Sequence, residues 1–369
     1  MGPRTPPNPG PCRGPRLSTG EAAPTLRAVF AAPSLPRTLP ACLRDLENPK
    51  PAVRAGAVRD LARHTGGDDR SRAVEALTGA LRDAEGVVRA AAATSLADAE
   101  ASEAIDALVV AADDADPLVR QMAVAALGEI GDVRALPRLE RALADERAEV
   151  RFQAVIAYPR LAESEAALVA LEKATRDDDP LVTHIALRMA EELGEKAGEV
   201  DARLVRRARA LLGHDAALVR VAAAVLLARA GEKGCEEVLA KVAGGELATR
   251  EGADEGAAIE LCGELGIEAA RPGLERRAFG GMLGFFKDRF QWHARVALAR
   301  MGHSRARREI AGDLASWDPS RRTLAVAAAG RAHMTDVRET LLAMRRDKRA
   351  NAGALDEALR ALAEAESVP

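Results

Sequence analysis

An all-α fold, a right-handed solenoid of about nine stacked helix pairs, is what this 369-residue sequence predicts. Three observations predict it. A valine recurs at 53, 88, 119, 150, 182 and 219, and weaker copies of its position fall at Asp254, Phe290 and Arg321. Successive spacings are then 35, 31, 31, 32, 37, 35, 36 and 31 residues, room for two helices and two turns. Apolar residues follow those valines at helical spacing. The composition agrees: aromatics are 2%, alanine is more than a fifth of the chain, and small side chains suit closely packed helices rather than sandwiches or barrels.

Taken in order, residues 1–34 are rich in Pro, Gly and Arg with one acidic residue, Glu21. They offer too little apolar surface to offset ordering entropy and read as a disordered tail. Leucines at 35, 39, 43 and 46 predict a short helix closing the front of the array. The solenoid is then expected to reach residue 349. Its clearest unit is residues 116–145. Asp116 is an N-cap, and Pro117 suits the first helical position, where no N–H is needed. Val119, Met122, Ala123, Ala126, Leu127 and Ile130 form one apolar face, Gly131 ends the helix, and Leu136, Leu139 and Leu143 line a second one. One such pair cannot bury its own apolar face, so neighbours must stack. Residues 350–369 complete the array as a capping helix and end: Leu355, Leu359 and Leu362 face inward and Asp356, Glu357, Arg360 and Glu364 face water.

These cores read VRQMAVAALGEIG (119–131), VRAAAATSLADAE (88–100) and VRVAAAVLLARAG (219–231). The pattern resembles the short bacterial HEAT-like repeat of phycobilisome bilin lyases, over about 305 residues. That resemblance implies a HEAT-like solenoid. It implies little about activity, because the family hosts scaffolds, adaptors and occasional enzymes. It also implies that the arginine after the repeated valine (Arg54, Arg89, Arg120, Arg151, Arg220) ties to an acidic loop residue of a neighbouring repeat. Asp83, Asp114, Asp145 and Asp178 are available for this.

Nothing in the sequence builds a catalytic constellation. None of the six histidines (His64, His184, His214, His293, His303, His333) is followed by Glu, as the iron-binding HEAT-like deoxyhypusine hydroxylases require, and no H-x-x-x-H pair exists. There is no G-x-S-x-G and no P-loop. Asp177-Asp178-Asp179 before Pro180 read as an inter-repeat turn with an N-cap. No cofactor or metal is expected. Four cysteines without a C-x-x-C pair fit a reducing compartment, no apolar run reaches membrane-spanning length, and no secretory signal core precedes Leu39-Pro40-Ala41-Cys42. A cytoplasmic monomer is the expectation.

Charge is uneven. Residues 51–270 carry 27 basic and 41 acidic groups, and residues 271–349 carry 18 basic and 8 acidic. Within the basic end, aligning second helices on Leu139, Leu274, Ile310 and Leu341 brings Arg271, Arg307 and Arg338 into one column. Either this strip docks an acidic protein segment, or Glu275, Glu309 and Glu339 neutralise it in place. The segment 279–292 holds five of the nine aromatics. Phe290 takes the core valine position, whereas Phe285 and Phe286 either meet a partner or plug the solenoid's edge. The function expected is a non-catalytic protein–protein scaffold or adaptor. A nucleic-acid-binding helical repeat and a bilin lyase-like subunit are the alternatives, and the acidic first two-thirds argue against a duplex-length footprint.

Overall fold

The computed structural model describes residues 37–249, 252–280, 288–347 and 350–367, and all regular structure among them is helical. Helix α1 (Leu39–Asp45) leads into nine pairs. They are α2 (Pro51–Leu61) with α3 (Arg70–Ala80), α4 (Gly86–Asp98) with α5 (Ile105–Ala111), and α6 (Pro117–Ile130) with α7 (Leu136–Ala142). Next come α8 (Ala148–Leu161) with α9 (Ser164–Ala174), α10 (Pro180–Ala197) with α11 (Ala202–Leu211), and α12 (Ala217–Arg229) with α13 (Glu236–Gly244). The last three are α14 (Gly252–Glu264) with α15 (Arg271–Phe279), α16 (Gln291–Arg300) with α17 (Ser304–Asp313), and α18 (Pro319–Arg331) with α19 (Arg338–Arg346). Helix α20 (Ala352–Ser367) stacks on α18, with Leu355, Ala358 and Leu362 buried. Residues 1–34, Phe285 and Phe286 lie outside the described residues.

Local chemistry starts and stops these helices as the sequence requires. Asp116, Asp179 and Asp318 each precede a proline and accept a backbone N–H two residues on, at 2.9, 2.8 and 2.9 Å. Twelve residues after the repeated valine the chain turns through a positive φ in six repeats, at Glu100, Gly131, Gly231, Gly266, Gly302 and His333. Two expectations need refining. Phe290 is buried as predicted, but it is the residue before α16 rather than part of it. That helix lacks its first turn, and Asp288 accepts the Phe290 amide just ahead of it. Helix α10 runs one turn beyond the repeat, to Gly198.

Successive first helices pack directly on one another along the whole array, whereas second helices meet their neighbours far less. Small residues cause this. A Cβ on Gly128 would lie 2.4 Å from the Ala157 Cβ, and one on Gly263 would lie 2.4 Å from the Ala297 Cα. Helices that approach this closely on one side and stand apart on the other must curve, so the first helices line the concave face. The alanine-rich composition sets that curvature, with the apolar core running between the two helix layers.

Candidate interaction surface

The repeated arginine is the frame on which any surface is mounted. Its Nε and Nη2 clamp both oxygens of an aspartate in the next inter-repeat turn: Arg54 on Asp83 (2.7 and 2.8 Å), Arg89 on Asp114 (2.7 and 2.7 Å), Arg120 on Asp145 (3.0 and 3.0 Å) and Arg151 on Asp177 (2.7 and 2.7 Å). Nη1 donates back to carbonyls six and five residues earlier, as in Arg120 to Asp114 and Ala115. Each aspartate also accepts the amide two residues on. Burial opposes ionisation of Asp145, but the Arg120 fork and the Arg147 amide prevail and hold its carboxyl below the usual range. The sequence pointed to Asp178 for the last rung. The fork takes Asp177 instead, because only that residue begins the turn; Asp179 is the N-cap and Asp178 points elsewhere.

The ladder changes where its residues change. Thr183 replaces the arginine after Val182 and donates its hydroxyl to the Asp177 carbonyl. Glu255 stands at the arginine position of its repeat with opposite charge, almost fully buried, and receives Arg277 (3.1 Å) and Arg289 (2.6 Å) instead. A second set of arginines escaped the sequence reading. Arg138 reaches the Ala112 carbonyl, Arg207 the Thr175 carbonyl and Arg277 the Ala243 carbonyl, each satisfying the exposed end of the preceding second helix. They fall in alternate repeats, 69 and 70 residues apart, so the single-repeat period does not announce them.

On the concave face, the residues one before the repeated valine and 3, 6 and 10 after it form a column on each first helix. From α4 to α6 this face is open and mostly apolar, with Asp98 and Glu129 at its far end. Val87 (49% exposed) and Leu118 (45%) stand over Ala91, Thr94 and Met122, enclosing a groove of about 340 Å³ that reaches Arg59 of α2. Further along, ion pairs bridge the face, although Leu181 and Leu324 in the same column stay exposed. His184 of α10 reaches Asp254 of α14 (2.5 Å) over the intervening α12, and Arg331 of α18 reaches Glu260 of α14 (2.7 Å) over α16. Arg188 and Arg229 converge on Glu191, which burial pushes above its ordinary value despite both cations. Beneath these ties Val225 of α12 is fully buried, although Thr94 at the same place in α4 is exposed. Asp254 thus occupies a valine position because His184 and Arg188 are there to meet it.

The structure places Arg271, Arg307 and Arg338 on successive second helices α15, α17 and α19, but not as free cations. Arg271 is bound to Glu268 (2.7 Å), Arg307 to Asp336 (2.5 Å) and Arg338 to Glu366 (2.5 Å). These are not the expected partners: Glu275 faces His303 and Glu309 holds Arg295 and Arg305. Two of the three arginines are met from the following element, since a guanidinium on one second helix reaches the turn or helix stacked on it. The histidines do structural work. His64 bonds the Arg37 carbonyl, His214 and His303 accept backbone amides, and His293 pairs with Glu260. Among the described residues no three His, Cys, Asp or Glu side chains gather as a metal site, and no helix is long and apolar enough to cross a membrane.

Residues 74–159 match the family model for HEAT repeats. No curated protein sequence matches the chain. Among solved structures, Escherichia coli YibA is similar with a TM-score of 0.51 and 18% identity, over 71% of this chain and 92% of that one. The complex of CpcE and CpcF of phycocyanin lyase from Nostoc sp. PCC7120 gives 0.42 and 18%, over 66% and 95%. An engineered protein gives 0.41 and 20%, over 88% and 98%. The first is a likeness of fold alone.

Proposed function

We propose that this array of HEAT-like repeats is a non-catalytic scaffold that holds the apolar face of a partner protein segment in its concave groove between α4 and α6. The observation that carries the reading is the contrast along that face. Ion pairs bridge it from α10 onward and leave Leu181 and Leu324 exposed singly, while exposed Val87 and Leu118 stand together over Ala91, Thr94 and Met122. Adjacent open apolar side chains on a curved surface are the usual mark of a contact site. The expectation of an acidic partner rested on Arg271, Arg307 and Arg338, whose guanidiniums are already engaged. The acidic first two-thirds of the chain argue against a nucleic-acid footprint. We read the protein as cytoplasmic, in keeping with the buried free thiols of Cys42, Cys235 and Cys262.

The test is a double substitution, Val87→Ser with Leu118→Ser. Both side chains are about half exposed, so the melting temperature should move little, on the scale of about 0.5 kcal/mol for surface changes. Proteins captured from native lysate by the parent chain, and then confirmed by binding in purified form, should be lost by the variant. Equal capture by both would remove the groove from the reading.

A further inference from the structure

One opening lies away from the concave face, beside two rungs of the ladder. Between second helices α7 and α9, on the outer side, lies a cleft of about 1050 Å³. It sits at the repeat whose turn is unlike the rest. Helix α8 continues through Pro159, and the chain leaves it at Ala162 in extended conformation (φ −75°, ψ 157°), with none of the positive-φ turning seen in its neighbours.

The back wall is α8, where Arg151, Val155 and Tyr158 lie on one helical face. Arg151 is locked onto Asp177. Tyr158 is the single tyrosine of the chain. It lines the cleft at only 8% exposure, and its hydroxyl makes no hydrogen bond to any described residue. The hydroxyl is not among the buried polar atoms that lack a partner, so it is open to the cleft and free to bond an incoming group. Burial and the charge of Glu140 both push its pKa up, so the hydroxyl keeps its proton.

The charges around the opening point to the group it would take. Asp145, Glu165 and Asp177 are each paired with an arginine of the protein, as is Glu172 with Arg176 beside them. Glu140, Glu163 and Asp178 make no ion pair with a described residue, against Lys173 alone among the basic ones. The walls between them, Val155 and Val169 among others, are apolar. A carboxylate-rimmed slot with aliphatic walls and an aromatic ring suits a cation on an aliphatic stem.

We propose that this cleft receives a basic side chain, an arginine, carried by an extended segment of a partner protein. The stem lies along Val155 and Val169, the guanidinium meets Glu140 and Glu163, and the Tyr158 ring and hydroxyl complete the contact. The proposal rests on the reading of the array as a protein-binding scaffold, yet the two can fail separately because they concern opposite faces.

A sole tyrosine makes the test direct. The full chain labelled with 3-fluorotyrosine gives one fluorine resonance, which a capped pentapeptide with a central arginine should shift saturably. A single anchoring residue implies a Kd on the order of 1 mM. The same peptide with neutral citrulline in place of arginine should leave the resonance unmoved. Glu140→Gln with Glu163→Gln should weaken binding at least about tenfold if two charge-assisted contacts are lost. The Val87→Ser and Leu118→Ser variant should titrate like the parent, which separates this site from the groove. No saturable shift, an equal response to citrulline, or undiminished affinity in the Gln variant would each overturn the proposal.

Discussion

At the residue scale, stability is concentrated in the arginine rungs. Arg120 and Asp145 are both nearly buried, and the guanidinium spends five hydrogen bonds on the Asp145 carboxylate, two carbonyls and Glu146. Arg120→Ala leaves Asp145 with a backbone amide but no countercharge, and should cost about 1–3 kcal/mol, read as a lower urea midpoint. His333 offers a change in the other direction. It sits at φ 50°, where four of the six equivalent turns have glycine. Removing its side chain should relieve about 1 kcal/mol of backbone strain. Burial, with Arg300 nearby, lowers its pKa below the ordinary 6.5, so the folded state disfavours its proton. That contribution to stability is complete above 6.5 and is lost as the pH falls through the lowered value. His333→Gly should therefore melt above the parent, and the gap should widen between neutral pH and pH 5. A gap independent of pH would leave only the backbone effect.

At the element scale, the tie across α12 is the feature that periodicity could not foresee. Six first helices were legible from a valine and the apolar residues behind it, and the ladder from the arginine beside it. What sequence spacing does not carry is curvature, which accumulates from close approaches such as Gly128 on Ala157 and decides whether helices two repeats apart meet. Asp254 therefore looked like a defect in a core position, when it is half of a pair with His184. For the same reason the partners of Arg307 and Arg338 came from stacked elements and not from their own helices. His184→Ala would leave a buried Asp254 with Arg188 at 3.4 Å as its remaining partner. Breaking a buried pair in this way costs about 3 kcal/mol. Hydrogen exchange should accelerate in α10, α12 and α14 before it does in α4 and α6. Uniform acceleration would mean that the tie does not hold a local unit.

At the scale of the whole molecule, the architecture was read almost entirely from one recurring position, while the two candidate sites were not. The groove needed the knowledge of which helix layer is concave, and the cleft needed the one turn at Ala162 that departs from its neighbours. Both are properties of how repeats are joined, and a list of motifs is silent about joints. Cross-ties over α12 and α16 also make the array mechanically uneven. A stack of helices linked only to nearest neighbours bends and stretches like a coil spring, because each interface can yield a little by itself. Where one first helix is fastened to the next but one, three helices must move together. Under tension, the end built from α2 to α8 would lengthen first and the end from α10 to α18 would behave as a rod. A partner gripped at the compliant end would feel load as a change in the width of its own seat.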